Sequence, residues 1–401
     1  MRYRRRWLEE SLRRLARTRP VVYVGGARQV GKTTLLRAVF PRARYVSFDL
    51  PGVQQQALDD PAWFVRSCQG PVILDEIQHV PELMPYVKAA VDERRRCGQW
   101  LLTGSQHYTA IRQLSETLAG RVGILTLPPF AVREWRGSGA GRWPAWMWAG
   151  SAGAPCSMAA FWKRLLRGMY PELCASRRID VGNWFESYIM TYLERDLRMQ
   201  LRVGSVRDFA RFLRAAALRT GQLVNFTDMA RDVGIAVSTA REWVSVLEAG
   251  YHVRLLEPYH RNRGKRLVKS PKLYWGDTGL AAHLLGVRTV DELQRSPFAG
   301  ALLENWVISE VGKQLLGSGL QPQMWFWRTS NGTEVDLVVE HGGKLWPCEI
   351  KAGMTARPGW FSGLHSFSET YGDDSADGIV INLGGHEQYG ERIRLVNARC
   401  W

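Results

Sequence analysis

The chain has 401 residues, enough for roughly two or three domains, and its 45% apolar and 23% charged content is ordinary for a globular protein. Its formal net charge of +16 favours polyanionic partners such as nucleic acid. No apolar run approaches the length of a bilayer span, the six cysteines form no C-x-x-C pair, and no signal-peptide core follows the first arginines. We therefore expect a cytoplasmic protein without membrane segments, zinc or disulfides.

A glycine loop between a short apolar strand and a helix is the first feature with a chemical meaning. The strand is predicted at residues 21–24 and the helix at 34–40, and residues 26–33 fit G-x-x-x-x-G-K-[ST], the phosphate-binding loop of P-loop NTPases. Backbone N–H groups of such a loop point at phosphate oxygens, Lys32 can reach the outer phosphates of ATP, and Thr33 can ligate Mg²⁺. The predicted nucleotide-binding residues of this segment are Gly26, Ala27, Arg28, Gln29, Val30, Gly31, Lys32, Thr33 and Thr34.

Two further apolar strands end in polar side chains. Residues 71–74 lead into Asp75, placed to hold Mg²⁺ through water, and Glu76, placed to orient the attacking water. Residues 100–102 lead into Thr103 and Ser105, where a polar sensor of the γ-phosphate would lie. Strands and helices alternate up to about residue 130, which predicts a parallel α/β sheet and an ATPase core at residues 1–130.

Residues 131–205 are predicted to form a helical lid or linker. The pattern is helical from residue 112 to Arg121, and helices resume near residue 159. Between them lies a tryptophan- and glycine-rich stretch, residues 135–148, which we interpret as a loop or mobile insertion. Its tryptophans could stack on nucleic-acid bases, but packing over an edge of the domain is the simpler interpretation.

Residues 206–272 have the pattern of a winged helix-turn-helix. One helix is predicted to end at Gly234, and Ser238 is a suitable N-cap for the next helix. That second helix would bury a stripe spaced i, i+3, i+4, i+7, formed by Ala240, Trp243, Val244 and Leu247. Its outer face carries glutamates beside a single arginine, a poor set for reading bases because carboxylates repel phosphate.

A basic stretch follows this helix. Residues 261–272 contain six basic residues and no acid, which makes them the best local site for a polyanion. We predict contacts with DNA phosphates through Arg261, Arg263, Lys265, Arg266 and Lys269. The alternative is a winged helix that packs against neighbouring domains and carries a solvated basic hairpin.

The last region, residues 273–401, carries the pattern of a metal-dependent nuclease. Strands predicted at 334–340 and 344–351 flank a turn, and alternation places Glu349 and Lys351 on one face. With Asp336 across the hairpin this gives D…E-x-K, the PD-(D/E)xK pattern, in which the two acids would ligate Mg²⁺ and Lys351 would position water or stabilise the transition state. Glu304, on a predicted helix upstream, could add a carboxylate. The alternative is a surface network in which these charges pair with one another.

Together these motifs resemble a family of prokaryotic AAA+ ATPases that carry a C-terminal domain of unknown function with a nuclease-like fold. The matching segments are residues 26–35, 74–78, 102–106, 118–121, 168–171, 192–196, 265–280, 334–336 and 349–351. The resemblance implies an α/β protein with an N-terminal AAA+ P-loop NTPase domain, a winged helix-turn-helix and a C-terminal restriction-endonuclease-like α/β domain. It also implies Ser105 as the sensor and Arg121 as an arginine finger that acts on a neighbouring subunit's nucleotide, hence a homo-oligomer, with a ring-type AAA+ assembly as one form.

The expected function is hydrolysis of ATP with Mg²⁺, coupled to DNA binding. Catalysis would rest on positioning and charge neutralisation by the loop N–H groups, Lys32, the Thr33 and Asp75 magnesium site, Glu76 and Arg121. The alternative is a nucleotide-dependent switch or scaffold that binds protein partners and retains an inactive nuclease fold. Stimulation of ATP turnover by DNA would discriminate between the two.

Overall fold

The computed structural model describes residues 3–105, 117–139, 154–193, 206–260, 270–385 and 387–401. Within these ranges, every helix is too short or too polar to cross a membrane. The chain begins with an α/β unit. Its elements are α1 (Glu9–Thr18), β1 (Val21–Gly25), α2 (Lys32–Val39), β2 (Arg44–Ser47), α3 (Pro51–Asp59), α4 (Pro61–Ser67), β3 (Val72–Asp75), α5 (Met84–Glu93), β4 (Trp100–Gly104), β5 (Val122–Thr126) and α6 (Val132–Trp135).

The five strands of this unit form one parallel sheet in the order β2-β3-β4-β1-β5. All five residues of the inner strand β1 are buried, as expected for an apolar strand covered on both faces. Gly25 at its end is opposite both Gly104 and Thr126, so the carboxyl ends of three strands lie at one edge. The predicted parallel α/β sheet is confirmed, and ligands of such sheets bind at this edge.

The middle of the chain is mainly helical and ends in a two-stranded ladder. Its elements are α7 (Met158–Arg167), α8 (Pro171–Ala175), α9 (Val181–Tyr188), α10 (Val206–Ala217), α11 (Phe226–Val233), α12 (Val237–Ala249), β6 (Val253–Leu256) and β7 (Lys272–Trp275). Gly234 ends α11 with a left-handed φ of 83°, as predicted for a glycine in this position. The antiparallel β6–β7 ladder is where a wing would lie, but the winged-helix assignment stays a prediction.

The start of α12 differs from the sequence prediction. Ala236, not Ser238, is the N-cap, with φ −69° and ψ 149°, and the helix begins at Val237. A side chain caps a helix when its own backbone is still non-helical, and Ser238 already lies inside the first turn. The apolar stripe is as predicted, since all four of its members are buried: Ala240, Trp243, Val244 and Leu247.

The end of the chain combines helices with a mixed sheet. Its elements are α13 (Thr278–Leu284), α14 (Val290–Arg295), α15 (Ala299–Gly317), β8 (Met324–Arg328), β9 (Glu334–His341), β10 (Lys344–Ile350), α16 (Ser362–Tyr371), β11 (Gly378–Asn382), β12 (Glu387–Tyr389) and β13 (Ile393–Asn397). The six strands have the order β12-β13-β11-β10-β9-β8. The predicted β9–β10 hairpin is present. The nuclease-like assignment and the four domain boundaries stay predictions; β7 runs to Trp275, past the boundary predicted at residue 272.

Two segments that carry the family resemblance meet in the fold. Asp277 caps α13 through its Oδ1, and its Oδ2 accepts the Met169 N–H at 2.7 Å. Gly168 has φ 72° and lies so close to Asp277 that a Cβ at this glycine would overlap the carboxylate. Residues 168–171 and 277–280 therefore attach the helical region to α13.

One continuous hydrophobic core joins the three parts of the chain. It runs from Val22 in the first sheet through Phe212 on α10 to Trp306 on α15. Trp306 stacks on Trp401 with ring centroids 5.4 Å apart and meets Phe161 edge-on at 5.0 Å. The long helix α15 is therefore the element against which α7 and the chain terminus pack.

Candidate functional site

The phosphate loop runs from the end of β1 to the start of α2, at the carboxyl edge of the parallel sheet. Gly26 has φ 155°, and a Cβ there would overlap the Leu127 carbonyl. Gly31 has φ 93° and is the N-cap of α2. Residues with side chains rarely adopt these backbone angles, so the two motif glycines set the curl of the loop.

Lys32 and Thr33 form the first turn of α2 and meet the acids at the end of β3. Lys32 Nζ donates to two loop carbonyl oxygens at 2.9 and 3.1 Å, and it lies 3.9 Å from a Glu76 oxygen. The Thr33 hydroxyl contacts both Asp75 oxygens, at 2.8 and 2.9 Å. The structure thus brings the predicted lysine, threonine and two carboxylates into one site.

Glu76 directly follows β3 with a left-handed φ of 55°, an uncommon backbone angle for a residue other than glycine. Its carboxylate accepts hydrogen bonds from Gln78 Nε2 at 2.5 Å and from Ser105 Oγ at 3.1 Å. Burial works to raise the pKa of Glu76, but the Lys32 charge and these two hydrogen bonds help to hold that pKa below its ordinary value. Glu76 is therefore charged at neutral pH, as a group that orients water must be.

Tyr45 and Gln78 were given no role from the sequence, and the contacts of Thr103 with Asp75 and Glu76 were not predicted. The Thr103 hydroxyl donates to Asp75 at 2.5 Å and accepts the Glu76 N–H at 3.0 Å. The Tyr45 hydroxyl donates to the other Asp75 oxygen at 2.8 Å. Strand order explains the omission, because β2, β3 and β4 are neighbours only in the folded sheet.

The Thr33 hydroxyl and the Asp75 carboxylate suit a magnesium ion. Mg²⁺ prefers oxygen ligands and usually combines one or two protein groups with nucleotide phosphates. These two groups are in contact at the start of α2, so the residues present fit the metal that the sequence predicts here. The other predicted nucleotide-binding residues, Ala27, Arg28, Gln29, Val30 and Thr34, form the loop itself and the first turn of α2.

Arg6 supports the phosphate loop from the N-terminal segment. Its guanidinium donates to the carbonyls of Val30 at 2.9 Å and Pro128 at 2.7 Å, and it pairs with Glu134 at 3.0 Å. Only 4% of the Arg6 side chain and 5% of the Glu134 side chain are exposed, so this ion pair is buried. No role for Arg6 was predicted from the sequence, because the partners of its guanidinium are more than twenty residues away along the chain.

Arg6→Ala is expected to destabilise the protein strongly. The substitution leaves the Glu134 charge buried without its partner, which typically costs about 3–5 kcal/mol. Arg5→Ala is the matched control, because the Arg5 side chain is 84% exposed and pairs with Glu9 at 3.7 Å; it should cost less than about 1 kcal/mol. Urea unfolding of both variants beside the wild type measures the difference, and equal losses would contradict the role given to Arg6.

Arg121 lies far from the phosphate loop of its own chain. It precedes β5 at the amino edge of the sheet, whereas the loop leaves the parallel neighbour β1 at the carboxyl edge. Arg121 Nε pairs with Asp92 on α5 at 2.5 Å, and the two side chains are 29% and 45% exposed. This placement excludes contact with the nucleotide of the same chain. The role of Arg121 as an arginine finger that acts on the nucleotide of a neighbouring subunit stays a prediction.

A second group of charges, the acid cluster, lies where α15 meets β9 and β10. It contains the four residues predicted for a nuclease: Glu304, Asp336, Glu349 and Lys351. Lys351 Nζ lies 2.5 Å from Glu349 and 3.9 Å from Asp336. Burial, followed by repulsion from Asp336, raises the pKa of Glu304 to about 7 and that of Glu349 to about 8. Burial also raises the pKa of Asp336.

Two lysines, not one, balance the acid cluster. Lys272 on β7 donates to Glu304 at 3.2 Å and pairs closely with Glu334, and the Tyr274 hydroxyl donates to Glu304 at 2.5 Å. Lys272, the last cation of the basic stretch, is thus a buried and paired lysine. In the ranges that the structure describes, no three His, Cys, Asp or Glu side chains are spaced to hold a metal ion. The metal-ligand roles of Glu304, Asp336 and Glu349 stay predictions.

The predicted DNA contacts Arg261, Arg263, Lys265, Arg266 and Lys269 lie outside the described residues. Most of the tryptophan-rich stretch and the first part of the helix predicted from residue 112 lie outside them as well. At the start of the tryptophan-rich stretch, Trp135 belongs to α6, where its ring meets Phe130 at 5.2 Å and lies under the Arg4 guanidinium at 3.8 Å. That contact fits packing over a domain edge.

Comparison with known proteins gives matches to three family models. Residues 18–136 match an AAA domain, and residues 158–291 and 299–401 match two domains of unknown function (DUF8612 and DUF4143). The uncharacterized proteins Rv2008c of Mycobacterium tuberculosis and Mb2031c of Mycobacterium bovis are each 34% identical over 353 residues, which is 88% of this chain and 74% of theirs. Among solved structures, the Walker-type ATPase paby2304 of Pyrococcus abyssi is similar with a TM-score of 0.45 and 17% identity, over 69% of this chain and 94% of that one.

The AAA match covers the loop and the strands that carry the nucleotide site, so the prediction of an AAA-type P-loop ATPase domain is confirmed. The predicted C-terminal domain of unknown function is confirmed as well. With 34% identity over most of both chains, the protein belongs to the same family as these uncharacterized mycobacterial proteins, with an AAA-type P-loop ATPase domain at its N-terminal side.

Proposed function

We propose that this protein hydrolyses ATP with Mg²⁺ and that DNA binding is coupled to the ATPase cycle. The observation that carries the proposal is the assembly of Lys32, Thr33, Asp75 and Glu76 at one edge of a parallel sheet, with Glu76 held in its charged form. A phosphate loop, a metal-ligating pair and a water-orienting carboxylate are the parts that phosphoryl transfer to water requires.

Each of these residues has one task in hydrolysis. Lys32, which contacts two loop carbonyls in this structure, would turn to the β- and γ-phosphates of ATP. Thr33 and Asp75 would hold Mg²⁺, which neutralises charge on the phosphates. Glu76 orients a water whose oxygen bonds to the γ-phosphorus while the bond from that phosphorus to the ADP oxygen breaks. Ser105, in contact with Glu76, is the proposed sensor of the γ-phosphate.

A second copy of the chain would complete the site. Arg121 cannot contact the phosphate loop of its own chain, whereas the nucleotide site of a neighbouring subunit could accept this side chain. The ion pair between Arg121 and Asp92 is part-exposed. Such pairs contribute little stability, so Arg121 could leave Asp92 and contact a phosphate group instead. We therefore propose a homo-oligomer in which Arg121 serves the adjacent nucleotide.

Coupling to DNA is tested by ATP turnover with and without duplex or single-stranded DNA. The proposal predicts faster turnover in the presence of DNA. Turnover that no form of DNA alters, at a salt concentration where DNA is bound, would favour the alternative of a nucleotide-dependent switch that acts on protein partners.

The basic stretch is the proposed DNA contact, supported by its six cations without an acid and by the net charge of +16. Replacing Arg263, Lys265 and Arg266 with serine should weaken binding to all sequences alike. It should also flatten the dependence of log affinity on log salt by up to about 0.9 per lost phosphate contact. A triple serine variant of the exposed Lys163, Arg177 and Arg178 has the same change of net charge and should retain the salt slope. Equal losses in the two variants would contradict a local DNA site.

The acid cluster is proposed to hold the end domain together without cutting DNA, because lysines occupy the positions around its carboxylates. Glu349 Oε2, which is buried and has no hydrogen-bond partner among the described residues, favours the nuclease alternative. We expect no nicking of supercoiled or single-stranded DNA with Mg²⁺ or Mn²⁺, with or without ATP. Nicking by wild type and by the control Asp373→Ala, but not by Asp336→Ala, would contradict this and establish a nuclease.

A further inference from the structure

A cleft lies beside the phosphate loop. Its walls come from the loop at Ala27, the exit of β5, the turn between α12 and β6, and the long helix α15. Its volume is about 520 Å³. Pockets that hold small organic ligands usually measure roughly 300–1,000 Å³, so the cleft is large enough for one such molecule.

Arg254, in the middle of β6, lines this cleft with an unpaired charge. Among the residues that the structure describes, its guanidinium forms no ion pair within 4.0 Å and no side-chain hydrogen bond. Burial lowers the pKa of Arg254, which is the direction expected for a cation removed from water without a full partner. The Arg254 side chain is part-exposed to the cleft, so an anion that enters the cleft can reach its guanidinium.

The other charged groups in the cleft do not supply that anion. Glu248 on α12 accepts the Leu255 N–H at 3.3 Å and attracts the Arg254 charge without forming an ion pair within 4.0 Å, and burial raises the pKa of Glu248. Lys313 on α15 is already paired with Glu310 at 2.9 Å. Among the described residues that line the cleft, the Arg254 guanidinium is therefore the charged group to which a ligand would supply a counter-ion.

The remaining walls define the body of the ligand. The part-exposed residues Tyr251 and Leu255 line the cleft, beside the buried aliphatic residues Ile308 and Leu316. A guanidinium fork matches the two oxygens of a carboxylate or phosphate, and the aromatic ring of Tyr251 favours a flat apolar group. We propose that this cleft binds a small organic anion whose carboxylate, sulfonate or phosphate meets Arg254 and whose apolar body lies against Tyr251 and Leu255.

The test uses the fluorescent aromatic sulfonate 8-anilinonaphthalene-1-sulfonate on the full chain, with saturating MgADP present to block the nucleotide site. We expect one saturable site. Arg254→Met keeps the length of the side chain without its charge, and it should weaken the affinity roughly 10- to 100-fold, as loss of a hydrogen bond to a charged group does. Arg231→Met, at an arginine that is 73% exposed on α11, is the matched control and should bind as the wild type does.

Competition separates the two halves of the ligand. 1-Naphthyl phosphate should displace the probe from wild type, whereas 1-naphthol and inorganic phosphate, which each carry one half, should displace it poorly. Displacement by 1-naphthol as effective as by 1-naphthyl phosphate, or equal probe affinity of wild type and Arg254→Met, would overturn the proposal.

A measurement without ligand checks that Arg254 has no structural partner. Exchange of an unpaired buried charge for a hydrophobic side chain is often neutral or stabilising, so the Tm of Arg254→Met should equal or exceed that of wild type. A large fall in Tm would mean that the protein itself satisfies the guanidinium, and this would overturn the proposal whatever the probe does.

Discussion

Glu76→Gln is expected to leave ATP binding intact and to lower turnover by about 10²–10⁴-fold. Binding depends on the loop N–H groups, Lys32 and the metal pair, none of which the substitution removes. Glutamine retains the size of the side chain and can keep hydrogen bonds to Gln78 and Ser105, but it cannot accept a proton from the attacking water. The measurements are nucleotide affinity by fluorescence titration and phosphate release under saturating MgATP.

Glu93→Gln is the control for this substitution. The Glu93 side chain is 75% exposed at the end of α5, so the same chemical change at a distant site should have no effect on either quantity. Turnover by Glu76→Gln close to the wild-type rate would contradict the role given to Glu76. Loss of ATP binding would instead mean that the Glu76 charge serves mainly to place Lys32.

Arg121→Ala is expected to lower turnover by about 10³–10⁵-fold, the range seen for arginine fingers, while ATP binding persists. The reason is the position of the residue. β5 runs over five residues from Val122 to Thr126, about 16 Å at the usual rise per residue, and the phosphate loop lies beyond its far end. An arginine at the amino edge therefore serves a neighbouring nucleotide or none. Arg94→Ala, at a nearby arginine that is 71% exposed, should be close to wild type.

Mixing two inactive variants separates these outcomes. Arg121→Ala retains an intact nucleotide pocket, and Lys32→Ala retains an intact Arg121. In mixed oligomers some intact pockets face an intact arginine, so part of the activity should return. Absence of rescue at every ratio, with mixing verified by mass measurement, would contradict action between subunits.

The nucleotide site could be predicted from sequence because its signals are local. The phosphate loop is a continuous motif, and Asp75 and Glu76 follow an apolar strand directly, so each signal needs only a few neighbouring residues. Parallel strands place such strand ends at one edge, which joins the separate signals without knowledge of the strand order.

The residues that support this site could not be predicted, because their contacts depend on the order of strands and on packing between distant segments. Tyr45 and Thr103 reach Asp75 from β2 and β4, and Arg6 reaches the loop from the start of the chain. For Lys272 the sequence led to a wrong interpretation of a charged residue. Composition grouped it with the basic stretch, but β7 turns its side chain into the acid cluster. Charge patterns in a sequence do not distinguish a solvated lysine from a buried, paired one.

The most direct test of the account is phosphate release from MgATP by wild type and by Lys32→Ala, purified in parallel. Lys32 is the cation of the phosphate loop, and its loss removes the charge that meets the β- and γ-phosphates. We expect phosphate release by wild type, with a faster rate in the presence of DNA, and release by Lys32→Ala no higher than that of a protein-free blank. Equal release by the two proteins, or no release by wild type that has bound ATP, would contradict it.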